Sequence, residues 1–223
     1  MKSRQEFDPQ QYRRANHEYD QTWQTIDAVL YQVCRQYPEH TNRPSVYAKV
    51  FIIGRTYQTG IERKVPSDHT QGSAMSKAAA HIFRRGSDIQ SLFKQLEAAR
   101  EPLTQSAPKN IAEVHGALVK ILAEMSKDAQ ALRSFASKYM HFHNSTVPIF
   151  DDWATRALRR IVRRTRSLAI LEKPEGADEQ YVDYLIRFAE LYRRASTLLP
   201  VTVRGLDVYL LSVADQSTPP HDS

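Results

Sequence analysis

The sequence is poor in the residues from which several common kinds of protein are built. It has one cysteine, Cys34, among 223 residues, so it can form no internal disulfide and cannot supply the thiolates of a four-cysteine zinc or iron–sulfur site. Seven glycines and eleven prolines are too few for a collagen-like or low-complexity chain. No run approaches the roughly 18 apolar residues of a membrane span, and the first residues lack the apolar core of a secretion signal. We therefore expect a soluble cytoplasmic protein with no metal, no cofactor and no membrane partner.

The residues that are present predict one folded unit with an excess of positive charge. Hydrophobic residues make up 41% of the chain, which is enough for a sizeable core and excludes wholesale disorder. Lys and Arg number 31 against 25 Asp and Glu, which gives a formal net charge of +6. We expect a single helical domain over residues 1–223, with two lobes around a basic cleft and a polar tail over residues 216–223.

The spacing of apolar residues predicts an all-α fold. Apolar positions recur three and four residues apart through most of the chain, so that they share one helix face, and few segments alternate as strands do. The continuous apolar centre of residues 46–61 leaves a short strand open as an alternative there. In residues 20–35 the predicted core stripe consists of Trp23, Ile26, Leu30 and Val33, and Val29 widens it. The predicted helices cover residues 20–35, 46–61, 75–84, 89–100, 129–142, 151 to about 168, 180–199 and 203–213. Ser87 and Asp88 are predicted to cap the helix over 89–100. A further helix is predicted to begin at a cap formed by Asn110.

The hairpin predicted over residues 129–168 contains the most informative pattern. Lys138 lies on its first helix, and Asp151 begins its second helix after a turn that contains Pro148. Proline favours extended backbone in the residue before it, and an aspartate at a helix start accepts hydrogen bonds from the free amides of the first turn. The helix dipole favours an anion at the same place. The sequence therefore predicts an amine and a carboxylate at the junction of two helices.

The helix that follows Asp151 is predicted to be strongly basic on one face. No acid occurs from Trp153 to Arg166. Such a face suits a phosphate backbone, and its binding would depend on salt through counterion release. An ordinary solvated helix face is the alternative. The predicted DNA-binding arginines are Arg156, Arg160, Arg163 and Arg164, in a run with Arg159 and Arg166, and the patch is predicted to extend to Arg193, Arg194 and Arg204.

These residues resemble the helix-hairpin-helix DNA glycosylases, in particular the branch related to 8-oxoguanine glycosylase. The resemblance rests on Lys138 in Phe-Ala-Ser-Lys-Tyr and on Asp151 in Val-Pro-Ile-Phe-Asp. It implies a two-lobed helical fold, a lysine that attacks the sugar carbon, and an aspartate that stabilises the positive charge developing there, after the nucleotide has been flipped out of the stack. The matching positions are Lys138 and Asp151, and Asp152 is the rival for the second role.

The glycine-rich hairpin turn of that family, whose backbone amides approach a DNA phosphate, has no counterpart here. Residues 134–137 read Ser-Phe-Ala-Ser at that place. The main alternative is therefore a noncatalytic nucleic-acid-binding protein on the same helical fold. A helical ribonuclease with an Arg-x4-6-His pair is a weaker alternative, because Pro38 interrupts the match between Arg35 and His40.

Five more side chains are candidates for contacts with DNA. Arg55 and Tyr57 interrupt an apolar segment and are predicted to line a base pocket, with a buried arginine–acid pair as the alternative. His141 and His143 are two residues apart, a spacing that diverges on a helix and disfavours a metal site, so we expect one to face the cleft and the other to pack. Trp153 either contacts an unstacked base or packs in the core.

The resemblance thus implies an enzyme, a DNA N-glycosylase acting on double-stranded DNA with a flipped base, and we expect a monomer. An AP-lyase step accompanies base release if Lys138 is the nucleophile, whereas a water activated by Asp151 gives base release alone. Repair of damaged genomic bases and attack on modified phage DNA fit equally, because no single segment encodes the identity of the base.

Overall fold

The structure is a computed structural model that describes residues 6–67, 72–97, 99, 103, 107–126, 132–163 and 174–215. This part of the chain contains eleven α-helices and no β-strand, which confirms the predicted all-α fold. None of these helices is long and apolar enough to cross a membrane. The helices are α1 (Pro9–Thr22), α2 (Gln24–Gln36), α3 (Arg43–Thr56), α4 (Ile61–Lys64), α5 (Ala74–Arg84), α6 (Gly86–Leu96), α7 (Ala107–Ala123), α8 (Arg133–His143), α9 (Asp152–Ile161), α10 (Glu179–Ser196) and α11 (Val203–Asp215).

Short polar side chains begin five of these helices. Their side-chain oxygens accept hydrogen bonds from backbone amides of the first turn, which have no partner within the helix. The capping residues are Asp8 for α1, Asn42 for α3, Ser73 for α5, Asp151 for α9 and Asp178 for α10. The predicted helix start at Asp151 is therefore confirmed.

α1 was not predicted, because its sequence is mostly polar. Asp8 caps it, Pro9 is its first residue, and its buried residues are Tyr12 and Ala15 alone. The helix predicted from Asp20 to Arg35 is in fact divided, since a turn at Trp23 separates α1 from α2.

The buried face of α2 also differs from the predicted stripe. Leu30 is buried, but Trp23 is 46% exposed and Ile26 is 39% exposed. The acidic residue Asp27 is buried in their place, with 1% of its surface exposed. The reason is a partner from α11: Arg204 binds Asp27 with a distance of 2.8 Å from Nε to Oδ2.

The predicted starts of α6 and α7 are wrong. α6 begins at Gly86, directly after α5, and a Cβ at that position would lie 2.3 Å from the carbonyl oxygen of His40, so only glycine allows this close approach. The expected cap residues 87 and 88 consequently lie inside its first turn. α7 begins before Asn110, whose side-chain amide donates instead to the carbonyl of Gln95 at 2.6 Å.

α9 is shorter than predicted. It ends at Ile161 and not near residue 168, because Val162 adopts extended backbone and its carbonyl accepts a hydrogen bond from Nη1 of Arg187 at 2.5 Å. Arg163 follows the end of the helix. The described residues do not include residues 98, 100, 129–131 and 164–168 of the predicted helices, with Arg164 and Arg166 among them, or the tail over 216–223.

α8 lies at the centre of the packing. Every residue from Phe135 to Phe142 is buried, and the helix packs against α2, α3 and α7. α11 packs against α1 and α9, and α10 packs against α7 and α9. Most of the buried apolar side chains of these helices belong to one continuous cluster. α9 is therefore held from two sides, next to the turn that leaves α8.

Candidate active site

The pair predicted from the sequence lies at the junction of α8 and α9. Lys138 on α8 places its Nζ 3.6 Å from Oδ2 of Asp151, the residue that caps α9. The turn over residues 144–150 reverses the chain so that the two side chains meet. The structure therefore brings together the amine and the carboxylate that the resemblance singles out.

The amine of Lys138 is almost completely buried. Only 5% of the side chain is exposed, and Nζ donates hydrogen bonds to Oγ of Ser134 at 3.0 Å and to the backbone carbonyl of Tyr57 at 3.3 Å. Burial lowers the pKa of Lys138, because the charged form loses hydration, whereas the carboxylate of Asp151 acts in the opposite sense. A larger fraction of this amine is therefore neutral than for a lysine in water, and the neutral form is the nucleophile.

Asp151 divides its two carboxylate oxygens between two partners. Oδ1 accepts a hydrogen bond from the amide of Trp153 at 2.8 Å, and Oδ2 faces Lys138. The side chain is 29% exposed, so a ligand can reach it. The N-terminus of α9 adds a partial positive charge beside this anion. The carboxylate is thus both held in place and accessible.

Buried side chains fix the turn that leads to Asp151. Each of the four residues 147–150 makes one backbone hydrogen bond to a side chain of α8, α10 or α11. In chain order the partners are His141 (2.7 Å), Tyr181 (2.8 Å), Asp207 (3.4 Å) and Ser137 (2.9 Å). A buried backbone group without a partner costs free energy, so these bonds both satisfy the turn and hold its conformation. The position of Asp151 therefore does not depend on its ion pair alone.

His141 belongs to this support and does not face a cleft. It is fully buried, and burial lowers its pKa to about 3, so its ring is neutral. Nδ1 donates to the carbonyl of Val147, which leaves Nε2 to accept a hydrogen bond from the hydroxyl of Tyr31. With no exposed surface, this histidine cannot make the DNA contact expected from the sequence.

A buried network of charges and hydroxyls adjoins Lys138 through Tyr57. The carboxylate of Asp27 accepts hydrogen bonds from Nε of Arg204 at 2.8 Å, from the hydroxyl of Tyr19 at 2.5 Å and from the hydroxyl of Tyr57. Three donors compensate the hydration that a buried carboxylate loses. The ring of Tyr57 lies 5.9 Å from Nζ of Lys138, and its carbonyl accepts from the same amine. Tyr57 thus connects the network to the pair.

A model of a known protein family matches more than half of this chain. The family model HI_0787_N, described as an N-terminal domain, matches residues 9–147. The chain belongs to the HI_0787_N family. The match runs from α1 through α8 and includes Lys138, whereas Asp151 and α9 to α11 follow it. Comparisons with curated proteins and with solved structures gave no match.

An exposed basic face begins immediately after the HI_0787_N match, on α9. Trp153 is 45% exposed, and the guanidinium of Arg156 lies 5.0 Å from the centre of its ring. Trp153 is therefore not a core residue. Arg160 and Arg163 are exposed as well. Asp152 is also exposed, and its charge favours the charged form of Lys138. It therefore stays the alternative to Asp151 as the carboxylate that stabilises the positive charge on the sugar.

Other predicted arginines are not part of this face. Arg55, on α3 within the HI_0787_N match, is exposed and lies 3.6 Å from Glu62, so it forms a surface ion pair and not the buried pair given as the alternative. Arg193 and Arg194 both bind the carboxylate of Glu190, which compensates one of their two positive charges. Arg204 is buried against Asp27, as described above, because a buried carboxylate requires a cation.

A cavity of about 970 Å³ lies between α2, α6 and the turn after α8. Its size falls in the range of small-molecule sites. His143 lines it, with its neutral ring packed 4.9 Å from that of Phe93. Phe142 and Arg204 also line it and contact Tyr57, but neither residue of the Lys138–Asp151 pair does. The cavity and the pair are therefore neighbours and not one site.

Sequence reasoning missed the buried polar residues that support the site. Burial raises the pKa of Asp207 to about 8, and this residue lies in an apolar segment between Leu206 and Val208. An acid on the apolar face of a helix was the available signal for Asp207 and for Asp27. Ser137 carries no such signal, since a serine is common in any helix.

Proposed function

We propose that this protein is a DNA glycosylase that excises a damaged or modified base. The observation that supports the proposal is the Lys138–Asp151 pair. The amine of Lys138 is buried, which lowers its pKa, and it lies 3.6 Å from the carboxylate of Asp151 at the N-terminus of α9. Exposed arginines on α9, which begins at this carboxylate, suit a phosphate backbone. The resemblance of Lys138 and Asp151 to the catalytic residues of helix-hairpin-helix glycosylases supports the same class of reaction.

In the proposed reaction the target nucleotide is extruded from the duplex and its C1′ atom reaches the pair. Nζ of Lys138 attacks C1′ as the glycosidic bond breaks, and the bonding electrons leave with the base. The base takes up one proton and the attacking nitrogen releases one. Asp151 stabilises the oxocarbenium-like charge on the sugar during this step. Opening of the sugar ring then gives a Schiff base between Lys138 and C1′.

A second route uses the same carboxylate without a covalent enzyme intermediate. Asp151 accepts a proton from a water molecule whose oxygen bonds to C1′, and the base again leaves with the bonding electrons and takes up a proton. This route gives base release without strand cleavage. It needs Lys138 only as a cation near the carboxylate.

The test is incubation of the purified protein with duplexes that carry 8-oxoguanine, uracil, alkylated bases or hypermodified cytosines, with borohydride present to reduce a Schiff base. We expect base release from at least one duplex and its loss in Lys138→Gln and Asp151→Asn. A covalent adduct that is absent in Lys138→Gln assigns the nucleophile, whereas release without an adduct assigns the water route.

Two variants are matched controls. Lys49→Gln removes another buried amine, which donates to the carbonyls of Tyr37 and Glu39. Asp8→Asn changes the carboxylate that caps α1, as Asp151 caps α9. Both should retain base release. DNA binding that depends on salt, with no release from any duplex, would contradict the proposal and favour a noncatalytic DNA-binding protein.

A further inference from the structure

Three oxygen atoms surround the amine of Lys138. Nζ donates hydrogen bonds to the hydroxyl oxygen of Ser134 at 3.0 Å and to the backbone carbonyl of Tyr57 at 3.3 Å, and it lies 3.6 Å from Oδ2 of Asp151. Ser134 precedes Lys138 by four residues on α8, a spacing that places both side chains on one side of the helix. Its hydroxyl is the nearest of these three partners.

The residue that provides this hydroxyl is itself held in place. The carbonyl of Ser134 accepts a hydrogen bond from the hydroxyl of Ser137 at 3.0 Å, and the same hydroxyl accepts from the amide of Phe150 at 2.9 Å. A short side chain on a fixed backbone keeps its hydroxyl within a small space, because it occupies a few staggered rotamers. A lysine has a long flexible stem instead. The serine is therefore suited to hold the amine.

The hydroxyl of Ser134 differs from the other two partners in what it can do when Lys138 loses its proton. The charged amine has three hydrogens and no lone pair, so a hydroxyl, a carbonyl or a carboxylate can each accept from it. The neutral amine has two hydrogens and a lone pair. Carbonyl and carboxylate oxygens cannot donate to this lone pair, whereas a hydroxyl can reverse its bond and donate. Ser134 can thus stay bonded to Nζ in both states.

We propose that Ser134 positions the amine of Lys138 for attack on the sugar, by holding Nζ in place until its lone pair bonds to C1′. This inference rests on the proposed function and concerns its covalent route. Ser134 is a positioning residue, since it acts through Lys138. A displacement of about 1 Å at a reacting atom can lower a rate about a hundredfold. The water route needs Lys138 only as a cation and is less sensitive to the exact place of Nζ.

This difference between the two routes gives a readout that does not depend on the folded fraction. A duplex from which the wild type releases base is incubated with each variant in the presence of borohydride, and both the covalent adduct and the released base are quantified. We expect the ratio of adduct to released base to fall about tenfold in Ser134→Ala. Partial unfolding lowers both products equally and leaves the ratio unchanged.

Two further variants separate the hydroxyl from other effects of the substitution. Ser134→Thr retains a hydroxyl, so its ratio should stay within about twofold of the wild type. Ser45→Ala is the matched control, because it also removes a hydroxyl from the first turn of a helix. The hydroxyl of Ser45 donates to the carbonyl of Asn42 at the start of α3, away from the pair, and its loss should not change the ratio.

Each contrary outcome is distinct. Base release with an equal or higher adduct ratio in Ser134→Ala would overturn this inference and leave the proposed function intact. A reduced ratio that Ser134→Thr shares would show that the hydroxyl is not the cause, and would overturn it as well. Base release by the wild type without any adduct would assign the water route and overturn it. Release from no duplex would contradict the proposed function and this inference together.

Discussion

The molecule buries two lysine amines, and their surroundings differ in one decisive respect. Lys49 on α3 is fully buried and donates to the carbonyls of Tyr37 and Glu39, at 2.8 and 3.0 Å. Lys138 is buried to a similar degree but lies 3.6 Å from a partly exposed carboxylate. Both amines have a lowered pKa because burial removes their hydration. Burial of an amine therefore does not distinguish a structural lysine from a catalytic candidate, whereas the accessible carboxylate beside it does.

The largest difference between the two lysines is expected in the rate of base release, measured in a variant of each. We expect Lys138→Gln to lower the rate by about 10²–10⁴-fold, the range for loss of a positioned catalytic group. Lys49→Gln should keep the rate of its folded fraction within about twofold and lower the thermal unfolding temperature instead. Equal losses of rate in two variants that fold equally well would remove the distinction between the two amines.

A second prediction concerns the buried network of Asp27, Arg204 and Tyr57, which lies beside Lys138 and not beside Lys49. Arg204→Met leaves the carboxylate of Asp27 buried without its cation, so we expect the free energy of unfolding to fall by about 3–5 kcal/mol, measured by urea denaturation. The surface pair is the control: Arg55→Met should cost less than about 1 kcal/mol. Combining Arg204→Met with Asp27→Asn should recover part of the loss, and an undiminished loss in the double variant would count against this account.

The pH dependence of stability should have opposite signs for Lys49 and for Asp207, the buried acid that supports the turn before Asp151. Burial lowers the pKa of Lys49 to about 8 from its usual 10.5. Between these pH values the unfolded chain holds a proton that the folded chain lacks, so stability rises with pH. Relative to Lys49→Met, the wild type should gain about 1–3 kcal/mol between pH 8 and 10.5 in urea denaturation. A difference that stays constant over this window would contradict the lowered pKa.

Asp207, which supports the turn before Asp151, should behave in the opposite way. Its pKa is raised by burial from 3.8 to about 8, so the folded chain holds a proton that the unfolded chain has lost between these values. Stability of the wild type relative to Asp207→Asn should therefore fall as pH rises from 4 to 8. The same denaturation series measures both residues, and a rise in this window would show that Asp207 is charged in the folded protein.

The smallest predicted effect tests the basic face of α9. Arg156→Gln should weaken binding to any duplex about threefold at physiological salt and reduce the slope of log affinity against log salt by about 1. Arg55→Gln, which removes an exposed arginine of α3, should leave both values unchanged. An equal loss in the two variants would assign DNA binding to net charge and not to α9.

Prediction from the sequence succeeded where structure depends on near neighbours. The helix start at Asp151 required only a capping side chain and the free amides that follow it. The approach of Lys138 to Asp151 followed from the turn between them. The prediction of the buried face of α2 was wrong. Hydrophobicity alone predicts that Trp23 is buried, whereas Asp27 is buried because it pairs with Arg204, which is distant in the sequence.

The hydrogen-bond partners of the residues that support the site could not be predicted for the same reason. Ser137 binds the amide of Phe150 and Asp207 binds that of Ile149, through contacts that depend on how α8 and α11 pack. A serine or an aspartate has no fixed partner in a sequence, since its hydrogen bonds can go to water, to its own helix or to another element. The helical period shows which face is apolar but not which polar group lies opposite it.

Local patterns were enough to predict the all-α fold, the cap at Asp151 and the candidate pair, because periodicity, capping and turns act over a few residues. The tertiary structure decided which charges lose their water. Asp27 and Arg204 are 177 positions apart, and the amine of Lys138 is covered by Tyr57, 81 positions away. Burial and pairing of charged groups depend on the surroundings that the whole fold creates, and those surroundings set the chemistry of the site.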